Sequence, residues 1–310
     1  MLVAICLLSC NGNKSTTNQL LTVFHAGSLS MPLKAIADSF MRENPGVVIE
    51  MEAAGSVDCV RKITELGKSC DILASADYSI IDSMMIPAAA SWNIRFAGNE
   101  MAIVFHDKSR MADKINADNW FEILANKDVA FGRSNPSSDP CGYRAMMTLQ
   151  LAEKHYGKPG LAGKIAAKDN QYIRPKETDL LALLESNSID YIFLYRSVVI
   201  QHGLKYIELP DAINLGNPEL AATYANAKVT IAGKQPGDSI QVVGSPMVYG
   251  LTIPTSAANP DLAEKFVAYL LSSEKGGKVL GLMGQPSVVP SVATGFDMLP
   301  DELKQFAKKE

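Results

Sequence analysis

Residues 134–144, Ser-Asn-Pro-Ser-Ser-Asp-Pro-Cys-Gly-Tyr-Arg, gather several chemistry-bearing groups into one short stretch. Prolines, a glycine and small polar residues run directly into a helix-like segment over 145–153. Backbone N–H groups left free at such a loop-to-helix junction, with the positive end of the helix dipole behind them, form a pocket for an anion. Asp139 runs against that reading. At about 4 Å two like charges repel by roughly 1 kcal/mol in water and about 4 kcal/mol near a protein surface. Either Asp139 only caps the helix, or the ligand contains a centre that wants a carboxylate. A second acid, Glu177, stands in the first turn of a later helix, where capping is again the plain alternative. Together Asp139 and Glu177 could also serve as a general acid–base dyad.

Two serines stand in matching positions. The strand-like run 20–25 breaks at Ala26-Gly27-Ser28, before a helix whose apolar face is Leu33, Ile36, Ala37, Phe40 and Met41. The run 47–52 breaks in the same way at Ala54-Gly55-Ser56, before a helix over 57–66, and 71–76 is the next strand. Strand, small-residue turn and helix in repetition describe a parallel α/β sheet. In such sheets ligands sit beyond the carboxyl ends of strands. Ser28 and Ser56 occupy that place, as oxyanion donors or as helix-capping serines. Tyr195 ends the strand-like run 190–195 and lies at an equivalent point.

The elements that must position these groups exceed one core. A chain of 310 residues, 47% hydrophobic and 20% charged, suits two lobes of a globular protein. The strand 101–106 leads into a second lobe and the apolar run 247–253 returns, so two crossings make a hinge and a cleft. The expected division is lobe 1 over 20–104 plus 246–310, lobe 2 over 105–245, and a signal and linker over 1–19. A net charge of −4 with no basic stripe excludes a general nucleic-acid partner. Dinucleotide, Walker, nucleophile-elbow and His-Glu-x-x-His motifs are all missing. The apolar start, too short to span a bilayer, ends in Leu7-Leu8-Ser9-Cys10 and resembles a bacterial lipobox with Cys10 as the lipidated residue. Cys59 and Cys70 could close a short disulfide or remain thiols.

Five motifs together carry a family resemblance: His25-Ala-Gly-Ser-Leu29, Ala54-Gly-Ser-Val57, the run from Ser134 to Arg144, Tyr195-Arg-Ser197 and Gly244-Ser-Pro-Met-Val-Tyr-Gly250. They resemble the solute-binding proteins of tungstate/molybdate ABC importers, in the archaeal-type tungstate-binding class. The resemblance covers nearly the whole chain from about residue 20. It implies a type II periplasmic-binding-protein fold, two α/β lobes each with a mixed sheet flanked by helices, closing on the anion in the cleft between them. It also implies oxyanion ligands at Ser28, Ser56, Tyr195 and the Cys141 amide, with Asp139 and Glu177 bonded directly to the molybdenum or tungsten centre. A high-valence, oxygen-seeking metal turns the awkward acids into a filter, because sulfate and phosphate cannot expand their coordination to accept them. The implied protein is not an enzyme and needs no cofactor. It is expected as a monomer in the periplasm or on the cell surface, held by its lipid anchor and delivering its anion to an ABC permease. A receptor for another oxyanion or for ferric iron, or a carboxylate-dyad hydrolase, is the alternative.

Overall fold

The computed structural model describes residues 19–168, 170–233 and 237–309. Cys10 and the rest of the lipobox lie outside them. The chain opens with β1 (Gln19–Ala26), α1 (Ser30–Glu43), β2 (Val47–Ala54), α2 (Ser56–Thr64), β3 (Ile72–Ser75), α3 (Tyr78–Met84) and β4 (Asn93–Gly98). There follow β5 (Met101–Phe105), α4 (Trp120–Leu124), β6 (Phe131–Ser134), α5 (Pro140–His155), β7 (Ile173–Arg174), β8 (Tyr191–Tyr195) and β9 (Lys205–Glu208). A hairpin, β10 (Lys228–Ala232) with β11 (Ser239–Val243), precedes β12 (Val248–Thr252), β13 (Ser291–Thr294) and β14 (Ala307–Lys308).

Two mixed sheets result. The first runs β14-β13-β4-β12-β3-β1-β2, and the second β7-β6-β8-β5-β9. In the first, β1 pairs parallel with β2 and β3, while the returning β12 lies antiparallel between β3 and β4. In the second, β8 is parallel to β6 and antiparallel to β5. β5 belongs to the second sheet, paired with β8 and β9, so Asn99 and Glu100 join β4 of the first sheet to β5 of the second. The return passes through residues 244–247, and Asn99 N–H donates to Met247 O (3.3 Å), so the two crossing segments are tied together.

Local sequence explains the helices that carry the site. The stripe Leu33, Ile36, Ala37 and Phe40 buries α1 against the first sheet. Burying each large side chain of that stripe stabilises by roughly 1.5–3 kcal/mol. Pro140 occupies the first turn of α5, where no N–H is needed, and Asp139 caps it. Expectation and structure part in the irregular stretches. Residues 157–173, patternless in sequence, hold the helix Leu161–Ala166, and 206–247 holds the single turns Asp211–Asn214 and Ala221–Tyr224. Helices this short do not repeat an apolar face often enough to be read.

Candidate functional site

Asp139 stands at the mouth of α5, with no exposed surface. Its Oδ1 accepts from Cys141 N–H (3.1 Å), and its Oδ2 accepts from Glu177 N–H (2.9 Å). The capping half of the sequence reading is therefore visible, but the same carboxylate also reaches the segment that holds the second acid. The Cys141 amide that the resemblance offers to an oxyanion serves Asp139 in this structure, as does the Glu177 amide. Glu177 is equally buried, and neither of its carboxylate oxygens finds a hydrogen-bond donor among the described residues. Burial, and then the nearby Asp139 charge, push the Glu177 carboxyl well above the usual carboxylate range. Burial raises Asp139 as well.

The two Gly-Ser turns of the first lobe close over these acids. A Cβ on Gly27 would lie 3.0 Å from both Glu177 carboxylate oxygens, and one on Gly55 would lie 2.2 Å from Ser138 O and 3.0 Å from Asp139 Cβ. Val57 and Asp58 N–H, at the start of α2, both donate to Ser138 O (3.1 and 3.3 Å). Backbone of one lobe thus sits directly on backbone of the other.

The serines do not cap. Neither the short turn Gly27–Leu29 nor α2 has a side-chain cap. Ser28 Oγ lies 2.9 Å from Tyr249 Oη, and Ser56 Oγ accepts from Ala76 N–H (2.9 Å). Tyr195, at the end of β8, accepts from Arg144 Nη1 (3.1 Å). All three hydroxyls are fully buried. Asp139, Cys141 and Glu177 are thus joined directly, while Ser56 and Tyr195 meet through Ala76 and Arg144.

A sequence model described as "Bacterial extracellular solute-binding protein" matches residues 21–280. The chain belongs to this solute-binding family. An uncharacterized solute-binding protein of Petrotoga mobilis is 46% identical over 93% of this chain and 90% of its own length. The molybdate/tungstate-binding protein WtpA of Pyrococcus abyssi is 40% identical over 97% of this chain and 95% of its own. Among solved structures, the periplasmic molybdate-binding protein of Azotobacter vinelandii superposes with a TM-score of 0.63 at 18% identity, covering 87% of this chain and 99% of that one. That likeness identifies a two-lobed type II periplasmic-binding-protein fold.

The lobe junction also holds residues that sequence reasoning missed. Arg144 donates to Ala76 O (2.8 Å) and pairs with Asp77 (2.9 Å), and Tyr143 Oη donates to the same carboxylate (2.6 Å). Tyr143 and Arg144 end the 134–144 motif, so the motif itself was the available signal. Tyr249 lies within the quoted 244–250 motif, whereas Asn99, which donates to Tyr249 Oη (2.7 Å), has no signal beyond its place at a crossing. Tyr143, Tyr195 and Tyr249 thus all lie at the junction, each bonded to protein groups. His25 is a buried strand-end residue whose Nδ1 meets Ala26 O (2.8 Å). Cys59 and Cys70 are free, and burial raises both thiols to about 12. No helix among the described residues is long and apolar enough to cross a membrane.

Proposed function

We propose that this solute-binding protein captures tungstate or molybdate between its lobes and delivers it to an ABC permease. The observation that carries the reading is Glu177, a fully buried carboxylate whose oxygens find no hydrogen-bond partner among the described residues, held beside a second buried carboxylate. An unsatisfied buried polar group costs about 1–3 kcal/mol, more when charged, unless a ligand completes it. A bare cation would need more ligands, and among the described residues no group of three or more His, Cys, Asp or Glu side chains comes together. A metal that brings its own oxo groups needs only the two. Ser28, Ser56 and Tyr195 would donate to those oxo groups, and Asp139 and Glu177 would bond the metal.

For Cys141 the role is narrower. Its amide would reach the anion only if Asp139 turned away from it, so the N–H acts chiefly by fixing Asp139. The similarity to a relative named for binding molybdate and tungstate supports the same reading. The protein binds and releases its solute unchanged, acts as a monomer, and is anchored through Cys10; a Cys10→Ser chain should then leave the membrane fraction. Calorimetry with tungstate, molybdate, sulfate and phosphate is the direct test of function. Heat with the first two alone is expected, and sulfate or phosphate binding without a tungstate response would overturn it. Phosphate- and sulfate-ester turnover, assayed in parallel, is expected to be nil.

A further inference from the structure

Helix α2 buries Val57, Val60 and Ile63 against the first sheet and leaves Arg61 outside that apolar face. A residue so placed is ordinarily solvated, yet only 23% of the Arg61 side chain is exposed. Its guanidinium lies against the other lobe. Nη1 donates to Ser137 O (3.1 Å), and Nη2 donates to Ala232 O (3.2 Å) and Gly233 O (3.3 Å). The planar fork spreads its donors over two separate segments of chain, which a compact ammonium does less well.

The second lobe already holds those segments together. Ser137 lies in the loop before α5, and its Oγ accepts from Ala232 N–H (3.2 Å) at the end of β10. At the start of β10, Gln150 of α5 donates to Lys228 O and accepts from Lys228 N–H, both at 2.9 Å. The β10–β11 hairpin is thus fastened to the second lobe at both ends of β10, and Arg61 reaches it from the first. The neighbouring Ser138 O takes the Val57 and Asp58 amides of the same helix. Helix α2 therefore grips residues 137 and 138, and Arg61 extends the grip to the hairpin.

Steering of an anion by the Arg61 charge is weak in this setting. On its own helix the guanidinium faces Glu65 (3.5 Å) and Asp58 (3.9 Å), two carboxylates that offset its field. Both ride on or beside α2 and stay with Arg61 when the lobes part. The three neutral carbonyls do not.

We propose that Arg61 is a positioning residue for solute retention, a clasp between α2 and the β10–β11 hairpin that slows release of the bound anion. It acts by holding the lobes together rather than by contacting the anion. This rests on the reading that the anion is held between the lobes. Bonds made on closure and broken on opening raise the barrier to leaving, so they act on the off-rate rather than on the encounter.

The test is release of radiolabelled tungstate, chased with excess unlabelled tungstate, from the purified parent chain, Arg61→Met and Arg61→Lys, with affinities from calorimetry. Arg61→Met keeps an apolar stem on α2 and removes every donor, while Arg61→Lys keeps the charge and loses the fork. The off-rate should rise about tenfold in Arg61→Met and roughly three- to tenfold in Arg61→Lys. The on-rate should stay within about threefold of the parent in both, a division that a merely structural role would not produce. An unchanged off-rate in Arg61→Met would overturn the clasp alone. So would an Arg61→Lys chain that releases as slowly as the parent, or a loss carried by the on-rate. A parent chain that takes up no tungstate would remove the underlying reading, and the clasp with it.

Discussion

Arg144 and Asp77 form an ion pair at 2.9 Å that joins the two lobes, with side chains 3% and 4% exposed. Asp77 caps α3 beside the first sheet and Arg144 rides on α5 beside the second, so the pair exists only when the lobes meet. Asp77→Asn would keep a capping oxygen while leaving the guanidinium buried without a counter-charge. Breaking a buried pair in this way costs about 3–5 kcal/mol. Because the cost falls on closure, tungstate affinity should drop by roughly two to three orders of magnitude. The sign is informative, since removing a negative charge near an anion site would by itself tighten binding. Calorimetry showing unchanged or tighter binding would mean that the pair does not govern closure.

Asp139 and Ser137 sit two residues apart and differ in where they point. Ser137 Oγ accepts from Ala232 N–H (3.2 Å), away from the acids, whereas Asp139 holds the Cys141 and Glu177 amides. A cap alone contributes about 0.5–2 kcal/mol to stability. Asp139→Ala should therefore lower the melting temperature modestly but weaken tungstate binding about a hundredfold or more, and Ser137→Ala should change binding by less than about threefold. Comparable binding losses in the two variants would reduce Asp139 to a cap.

Glu177 sets the pH dependence. Burial and the Asp139 charge raise its pKa on folding, so the folded chain holds a proton that the unfolded chain has released. Stability without ligand is then fully present at low pH and is lost as pH climbs from about 4, where an ordinary glutamate ionises, toward the raised folded value. Tungstate wants the ionised form, so its affinity should move oppositely and fall as the medium is acidified. Melting curves across this range, with and without tungstate, should diverge as pH rises. In Glu177→Gln both slopes should flatten, and an unchanged slope would assign the titration to another group.

Much of the architecture was legible because its signals are local. The breaks at Gly27-Ser28 and Gly55-Ser56, the proline-opened α5 and the return of β12 each follow from a few adjacent residues. The division of labour inside those motifs was not legible. Serine at a helix start reads as a cap, yet Ser28 turns to Tyr249 and Ser56 to Ala76, partners brought near by sheet order rather than by sequence. Asn99 carries no sequence signal, because its partners Ser197, at the start of the helix after β8, and Tyr249, in β12, come near it only through the fold. The glycines, read at first as mere turn formers, matter for what approaches them.

Gly55 makes the last of these points testable. Its backbone, at φ −59° and ψ 142°, is one that any residue adopts, so alanine there would bring no backbone strain. The obstacle is Ser138 O, 2.2 Å from the new methyl carbon, and that carbonyl is itself held by the Val57 and Asp58 amides across the lobe junction. The chain could relieve the clash only by moving the lobes apart, which breaks both bonds and withdraws the Gly55 turn from Asp139. Gly55→Ala should accordingly leave each lobe folded, with near-normal circular dichroism, while tungstate binding falls by about a hundredfold or more. Small-angle scattering should show a larger radius for the variant in tungstate than for the parent chain. A variant that binds as tightly and scatters as compactly as the parent would mean that the close backbone approach is dispensable.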